Sequence, residues 1–181
     1  MTDLRSTWRT AQEDLPWSER SAEAVRSAVR GAGPWAAGDR ARRLEAALAL
    51  AAITDAAARS SALQTRARER TIWWGNTARS RDDPQHLRLL GEHAGLAAIA
   101  VAAADALLAE AAAGTARDED LDAVLLGLDR VAGIAVTAMF DTLGASATAA
   151  GTGLHRLWLA YQEVLVTIDP APLAVRVGRE A

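Results

Sequence analysis

The stretch Asp83–Ala113, DPQHLRLLGEHAGLAAIAVAAADALLAEAAA, constrains the fold more than any other part of the chain. Asp83 reads as an N-cap, and Pro84 falls at the first helical position, where its missing N–H costs nothing. Gly114 reads as the left-handed residue that ends the helix. Between these signals lie roughly 30 residues, or about 45 Å of helix at 1.5 Å per residue. The large apolar side chains fall in two sets. Leu87, Leu90, Val101 and Leu108 share one face, and Leu89, Leu96 and Leu107 fall on nearly the opposite one. A helix apolar on two sides is buried from two sides. Arg88, Glu92 and Glu110 are then left with a narrow exposed seam. The expectation is a central helix of a bundle, one face toward its own domain and one toward further helices or another subunit.

Composition narrows the class. The chain has 181 residues, enough for one domain with a sizeable core. About a quarter of them are alanine, the best helix former and the residue that lets helices approach closely. Aromatics make up only 4%, which argues against a β-sandwich or barrel. A net charge of −3 gives no electrostatic footprint for nucleic acid. Cysteine is absent, so disulfides, thiolate metal sites and cysteine nucleophiles are excluded together. The N-terminal MTDLRSTWRT has no apolar signal core, and the alanine-rich runs are broken by charge and glycine. A cytoplasmic protein that does not engage the membrane is the expectation.

Taken in order, residues 1–36 form a short helical N-terminal arm, and residues 37–181 form the body. In the arm, Asp3–Leu15 reads as a short helix stopped by Pro16. Ser18 caps a second, Ser18–Arg30, with Glu19 in its first turn. Gly31–Pro34 breaks it. Trp8, Trp17 and Trp35 are anchors either for docking the arm on the body or for a separate partner. Gly38–Asp39 opens a long helical pattern that runs to about Thr77, apolar at first and arginine-rich at the end, with Gly75–Asn76 as terminator. Arg66, Arg68 and Arg70 read either as a solvated, dipole-matched helix end or as an anion site floored by Trp73 and Trp74. After the central helix, Asp118, Glu119 and Asp120 open another, with an apolar stripe from Leu121 to Met139. Gly127 and Gly133 cost that helix stability unless something approaches closely there. Gly144–Gly153 is small and polar, and a last helix covers about Leu154–Ile168, stopped by Asp169–Pro170. The fold class is therefore all-α, an up-down antiparallel four-helix bundle.

Chemistry is sparse. His86 and His93 share one side of the central helix, but a di-iron bundle needs Glu-x-x-His pairs and none occurs, so no metal is expected. There is no nucleophile elbow, P-loop or dinucleotide fingerprint, and no catalytic residue is assigned.

Residues from about 39 to 179 nevertheless resemble the C-terminal helical domain of the acyl-CoA dehydrogenase superfamily, and most of all its flavin-dependent monooxygenase branch. The order of pieces carries the resemblance. An alanine-rich helix ends in Arg70-Thr71-Ile72-Trp73-Trp74-Gly75, and an Asp-Pro-started helix follows. An acidic-started helix then leads into Met139-Phe140-Asp141-Thr142-Leu143-Gly144-Ala145-Ser146-Ala147. Leu154-His155-Arg156-Leu157-Trp158 and Arg176-Val177-Gly178 complete the set. The resemblance implies a bundle that builds an oligomer core and lends residues to a flavin, FAD or FMN. It implies Arg70 for the flavin phosphates, Trp73 and Trp74 flanking the cofactor, and Arg156 as the basic residue opening the last helix. One extra residue separates the Arg from the Gly, and Leu159-Ala160 stands where the family often has Arg-Asp. The family's N-terminal helical domain and β-barrel have no counterpart in the 36-residue arm.

Two functions follow from the resemblance. One is a truncated acyl-CoA dehydrogenase-like subunit of a flavin-dependent oxidoreductase. It would act on a small-molecule or acyl substrate, completed as a homo-oligomer or as a hetero-oligomer with a full-length flavoprotein. The other is a non-catalytic scaffold or small-molecule-binding bundle that has lost flavin.

Overall fold

The structure, a computed structural model, describes residues 18–67, 82–143 and 154–180. Among these are helices α1 (Glu19–Gly31), α2 (Gly38–Ala67), α3 (Pro84–Ala113), α4 (Asp118–Leu143), α5 (His155–Ile168) and α6 (Pro170–Glu180), with a 3₁₀ turn at Gly33–Trp35. No strand occurs among the described residues, and the all-α expectation holds.

The local signals act as the sequence suggests. Ser18 caps α1 by accepting from the backbone N–H of Arg20, and Asp83 caps α3 by accepting from those of Gln85 and His86. Gly114 ends α3 at φ 71°, a conformation that suits a residue with no Cβ. The tail after Asp169 forms α6, held by Leu173, which is fully buried.

The core has two layers. In the first, Leu44–Ala52 of α2 pack with Val25 and Val29 of α1, Leu107 and Leu108 of α3, and Leu121 and Leu125 of α4. In the second, Ile53, Ala56 and Ala57 pack with Val136, Met139 and Leu143 of α4 and with Leu154 and Leu157 of α5. The start of α2 thus meets the start of α4 and the end of α3, while its second half meets the end of α4 and the start of α5. The long helices alternate in direction, as expected for an up-down bundle.

The identity of the central helix differs from the sequence expectation. It is α2, which packs against α1, α3, α4 and α5 and is buried on every side along Leu44–Ala58 except at Glu45 and Asp55. Helix α3 lies at the edge, against α2, α4 and the 3₁₀ turn. Its buried stripe is His93, Ala97, Ala100, Ala104 and Ala111, flanked by Leu107 and Leu108. The two leucine sets lie about 125° apart at 100° per residue, so they are two shoulders of one broad face rather than opposite faces. Leu107 is buried, and Leu89 and Leu96 are half-buried. The face turned away is the wide one. It carries Gly91, Gly95, Ala98, Ile99, Ala102 and Ala106, all exposed.

By length and composition, α2, α3 and α4 are each apolar enough to cross a membrane, contrary to the reading of the alanine-rich runs. The apolar window of α2 is 78% buried inside the bundle, whereas those of α3 and α4 are only 33% buried. The first is accounted for by its own neighbours, and the other two present apolar surface outward.

One end of the bundle is locked by charge. Arg43 reaches Asp122 at 2.5 Å, Asp118 at 2.7 Å and Asp39 at 2.9 Å, while Arg40 reaches Asp118 at 2.6 Å. Arg176 of α6 binds the other oxygen of Asp122 at 2.9 Å. Trp35 closes the same end, its indole N–H donating to the carbonyl of Ala116 at 2.7 Å while the Arg40 guanidinium stacks over its ring. Of the arm's tryptophans, Trp35 is thus docked on the body, and Trp8 and Trp17 lie outside the described residues.

Of the two costly glycines in α4, Gly133 has the required close neighbour. A Cβ there would meet the Tyr161 hydroxyl at 2.7 Å. That hydroxyl donates to Asp129 at 3.1 Å. Gly127 has open space around it.

Two expected outcomes follow. Asp122→Ala leaves the Arg43 guanidinium short of its most buried partner and lowers unfolding stability by about 3 kcal/mol in urea titrations, whereas Arg40→Ala, at a solvated pair, costs clearly less. Gly127→Ala raises stability by about 1 kcal/mol through helix propensity. Gly133→Ala does not, because the gain is offset by the displaced Tyr161–Asp129 bond, about 1 kcal/mol.

Candidate functional site

At the end of the bundle away from the charge lock, the second half of α2 meets the start of α5 and the end of α4. Arg70, Trp73 and Trp74 lie outside the described residues, three to seven positions past Ala67 in sequence. Arg156 is the second residue of α5 and is exposed. The described residues therefore bring none of the four together.

They do place unsatisfied polar atoms at this end. Buried hydroxyls normally bond a backbone carbonyl one turn back. Thr54 does so to Leu50 at 2.7 Å, and Thr142 to Ala138 at 2.8 Å. Ser61 Oγ and Thr65 Oγ1, one helical turn apart on α2, have no hydrogen-bond partner although the residues are 0% and 2% exposed. Both ring nitrogens of His93 are likewise without one, at 2% exposure, as is Nδ1 of His155. Each such group costs about 1–3 kcal/mol if it stays dry and unpaired. The nearby Asp55–Arg59 pair at 2.8 Å is intact, with burial raising the Asp55 carboxyl against the pull of Arg59.

Electrostatics keep His93 neutral. Burial pushes its pKa below the usual histidine range, and the carboxylates of Glu92 and Asp141 pull only partly the other way. A neutral imidazole offers one donor and one acceptor, and each hydroxyl offers both. The end of the bundle can therefore hydrogen-bond a bound molecule or water. No hydroxyl is hydrogen-bonded to a histidine among the described residues, so they hold no nucleophile–base pair. They also hold no cluster of metal-ligating side chains.

A second concave surface lies between α4 and α5, with a volume of about 500 Å³. Asp129, Arg130, Asp141, Trp158, Tyr161 and Gln162 supply its aromatic and polar groups. Burial, with Asp129 beside it, pushes the Tyr161 phenol up to about 12, so it remains a donor at neutral pH. Sequence reasoning missed this groove. The glycine at 133 was its one visible signal.

The described helices define an all-α bundle with one end locked by charge and buried, unsatisfied polar groups toward the other. No family model matches the chain, and no curated protein matches it. Among solved structures it is similar to TdsC from Paenibacillus sp. A11-2, determined with indole bound, at 19% identity and a TM-score of 0.59. The likeness covers 75% of this chain and 37% of TdsC, so the chain spans little more than a third of that protein's length. What is shared is the fold, an all-α helical bundle.

The state of His93 has a measurable consequence. Its pKa is depressed in the folded protein, so the unfolded chain takes up a proton first. The stability it contributes is full above the ordinary histidine pKa of about 6.5 and is lost as pH falls through and below that value. Asp118 is held down to about 2, chiefly by Arg40, so its contribution is lost only at lower pH, from about 4 downward. The melting temperature of the wild type is expected to fall between about pH 7 and pH 5, and His93→Leu to flatten that dependence in thermal melts at matched ionic strength.

Proposed function

We propose that this chain is an acyl-CoA dehydrogenase-like subunit of a flavin-dependent oxidoreductase, completed by oligomerisation or by a partner flavoprotein. The observation that carries the reading is the fold likeness to TdsC, which extends over 75% of this chain. The order of motifs around Arg70, Trp73 and Arg156 in the sequence supports it, as does the presence of unsatisfied buried polar groups on α2 and α3. The described residues alone do not fit a flavin. Of the four expected contacts, the described residues include Arg156 alone, and it stands exposed. The reading therefore assigns the remaining contacts to Arg70, Trp73 and Trp74 and to a second chain, with a small-molecule or acyl substrate and a cytoplasmic setting. TdsC's bound indole favours an aromatic member of the small-molecule class.

The test is optical. Protein purified from its native host, or titrated with FAD and FMN alone and together with a flavoprotein from the same host, is expected to show flavin absorption. Arg70→Ala is expected to weaken uptake by about tenfold or more, the scale of a charge-assisted contact. A colourless protein that ignores both flavins in either setting overturns the reading.

The α4–α5 groove favours a second reading, a bundle that has lost flavin and binds a small molecule. Under it, indole or a related aromatic quenches or shifts the fluorescence of Trp158, and Trp158→Ala removes most of that signal.

A further inference from the structure

The outward face of α3 is chemically self-complementary, and this carries an inference about the partner. Three observations converge on it. The first is an unexplained cost. Gly91 and Gly95 sit inside a helix, where glycine is worse than alanine by about 1 kcal/mol each. A Cβ at either position would meet nothing within 4 Å. Nothing within the described chain uses their missing side chains, whereas a helix docking closely from outside would.

The second is exposure of apolar surface. Ile99 is 63% exposed at the middle of this face. Stepping outward from it by three or four residues gives Gly95 and Ala102, then Gly91 and Ala106, all exposed. At 100° per residue these positions fall on one face, opposite the buried His93–Ala111 stripe.

The third is charge, and it selects the partner. The end charges of this face are placed symmetrically about Ile99. Arg88 lies eleven residues before it and Glu110 eleven after. Both are exposed, and Arg88 is otherwise engaged only with Glu92 on its own surface. Laid antiparallel on a second copy across a two-fold axis at Ile99, each Arg88 meets the other copy's Glu110. Gly95 then comes within one residue, about 1.5 Å along the axis, of Ala102, and Gly91 likewise of Ala106. The seam is about 33 Å long. A parallel pairing would set Arg88 on Arg88 and Glu110 on Glu110, and like charges repel.

We infer that α3 is the contact helix of a two-fold homodimer, an antiparallel α3–α3 seam centred on Ile99 with small residues at the crossing and Arg88–Glu110 ion pairs at both ends. This deepens the oligomeric part of the proposed function and rests on it, but it requires no flavin.

The experiment uses the full chain in sedimentation at micromolar concentration, without flavin or flavoprotein. The expected wild-type mass is twice 19.1 kDa. Gly95→Leu has room in the monomer and favours the helix, so it is expected to keep full helicity by circular dichroism and sediment as a monomer. Arg88→Glu and Glu110→Arg each weaken the dimer at least fivefold, and the double charge swap restores it. Because the chain has no cysteine, Ile99→Cys is expected to give a disulfide-linked dimer on mild oxidation. A monomeric wild type overturns the inference. So does a dimer indifferent to Gly95→Leu, a failed charge-swap rescue, or a monomer that floats with phosphatidylcholine vesicles. A seam that forms in a protein ignoring flavin sinks the flavin reading alone, and a flavin-binding monomer sinks the seam alone.

Discussion

Everything else in the fold rests on covering α2 from all sides. A helix satisfies its own backbone hydrogen bonds, so it can be taken out of water without loss of polar pairing. Alanine makes the enclosure tight. Ala46, Ala47, Ala51, Ala52, Ala56 and Ala57 are buried and add almost no width, so α3, α4 and α5 can each lie close to the same axis. Leu44, Leu48, Leu50 and Ile53 fill the wider gaps between those neighbours. Without α2, the outer helices would have no common surface to pack on, and the ion pairs that Arg40 and Arg43 make to α4 would be lost with it.

Helix boundaries were the most legible part of the sequence, because caps act locally. Ser18, Asp83, Gly114 and Asp169 each mark a boundary within a residue of where it falls. Centrality was less legible. Leucine spacing pointed to α3, since large side chains dominate any count of apolar faces. Yet burial on all sides belongs to the helix with the smallest residues, because only they allow neighbours on every side. By spacing the two leucine sets of α3 read as opposite faces, whereas they flank one broad buried stripe, with Leu87 left exposed beyond its edge.

The candidate site was legible only in outline. Arg43, Asp122 and Arg176 form one network, but 79 residues separate the first pair and 54 the second, and no local pattern links them. The acids at the start of α4 matched the helix dipole, which explains them without the arginines they hold. Ser61 and Thr65 were hidden for a different reason. A hydroxyl in an alanine-rich helix is ordinarily absorbed by the carbonyl one turn back, as Thr54 is, so its type gives no warning that it is unsatisfied. His93 stood out as a residue, but only its burial separates it from a surface histidine.

The two ends of the bundle differ in how their polar groups are satisfied. At the locked end, the carboxylate of Asp122 is 7% exposed and both its oxygens are bound by guanidinium groups on different helices. Such an arrangement fixes the mutual register of α2, α4 and α6 and leaves nothing for a ligand to engage. At the far end, imidazole and hydroxyl groups are equally buried and make no such bonds. Local rules of satisfaction tend to be broken where a protein binds something, and kept where it only needs to hold together. The bundle thus divides its labour along its axis. Rigidity at one end holds in register the helices whose other ends carry the unsatisfied groups.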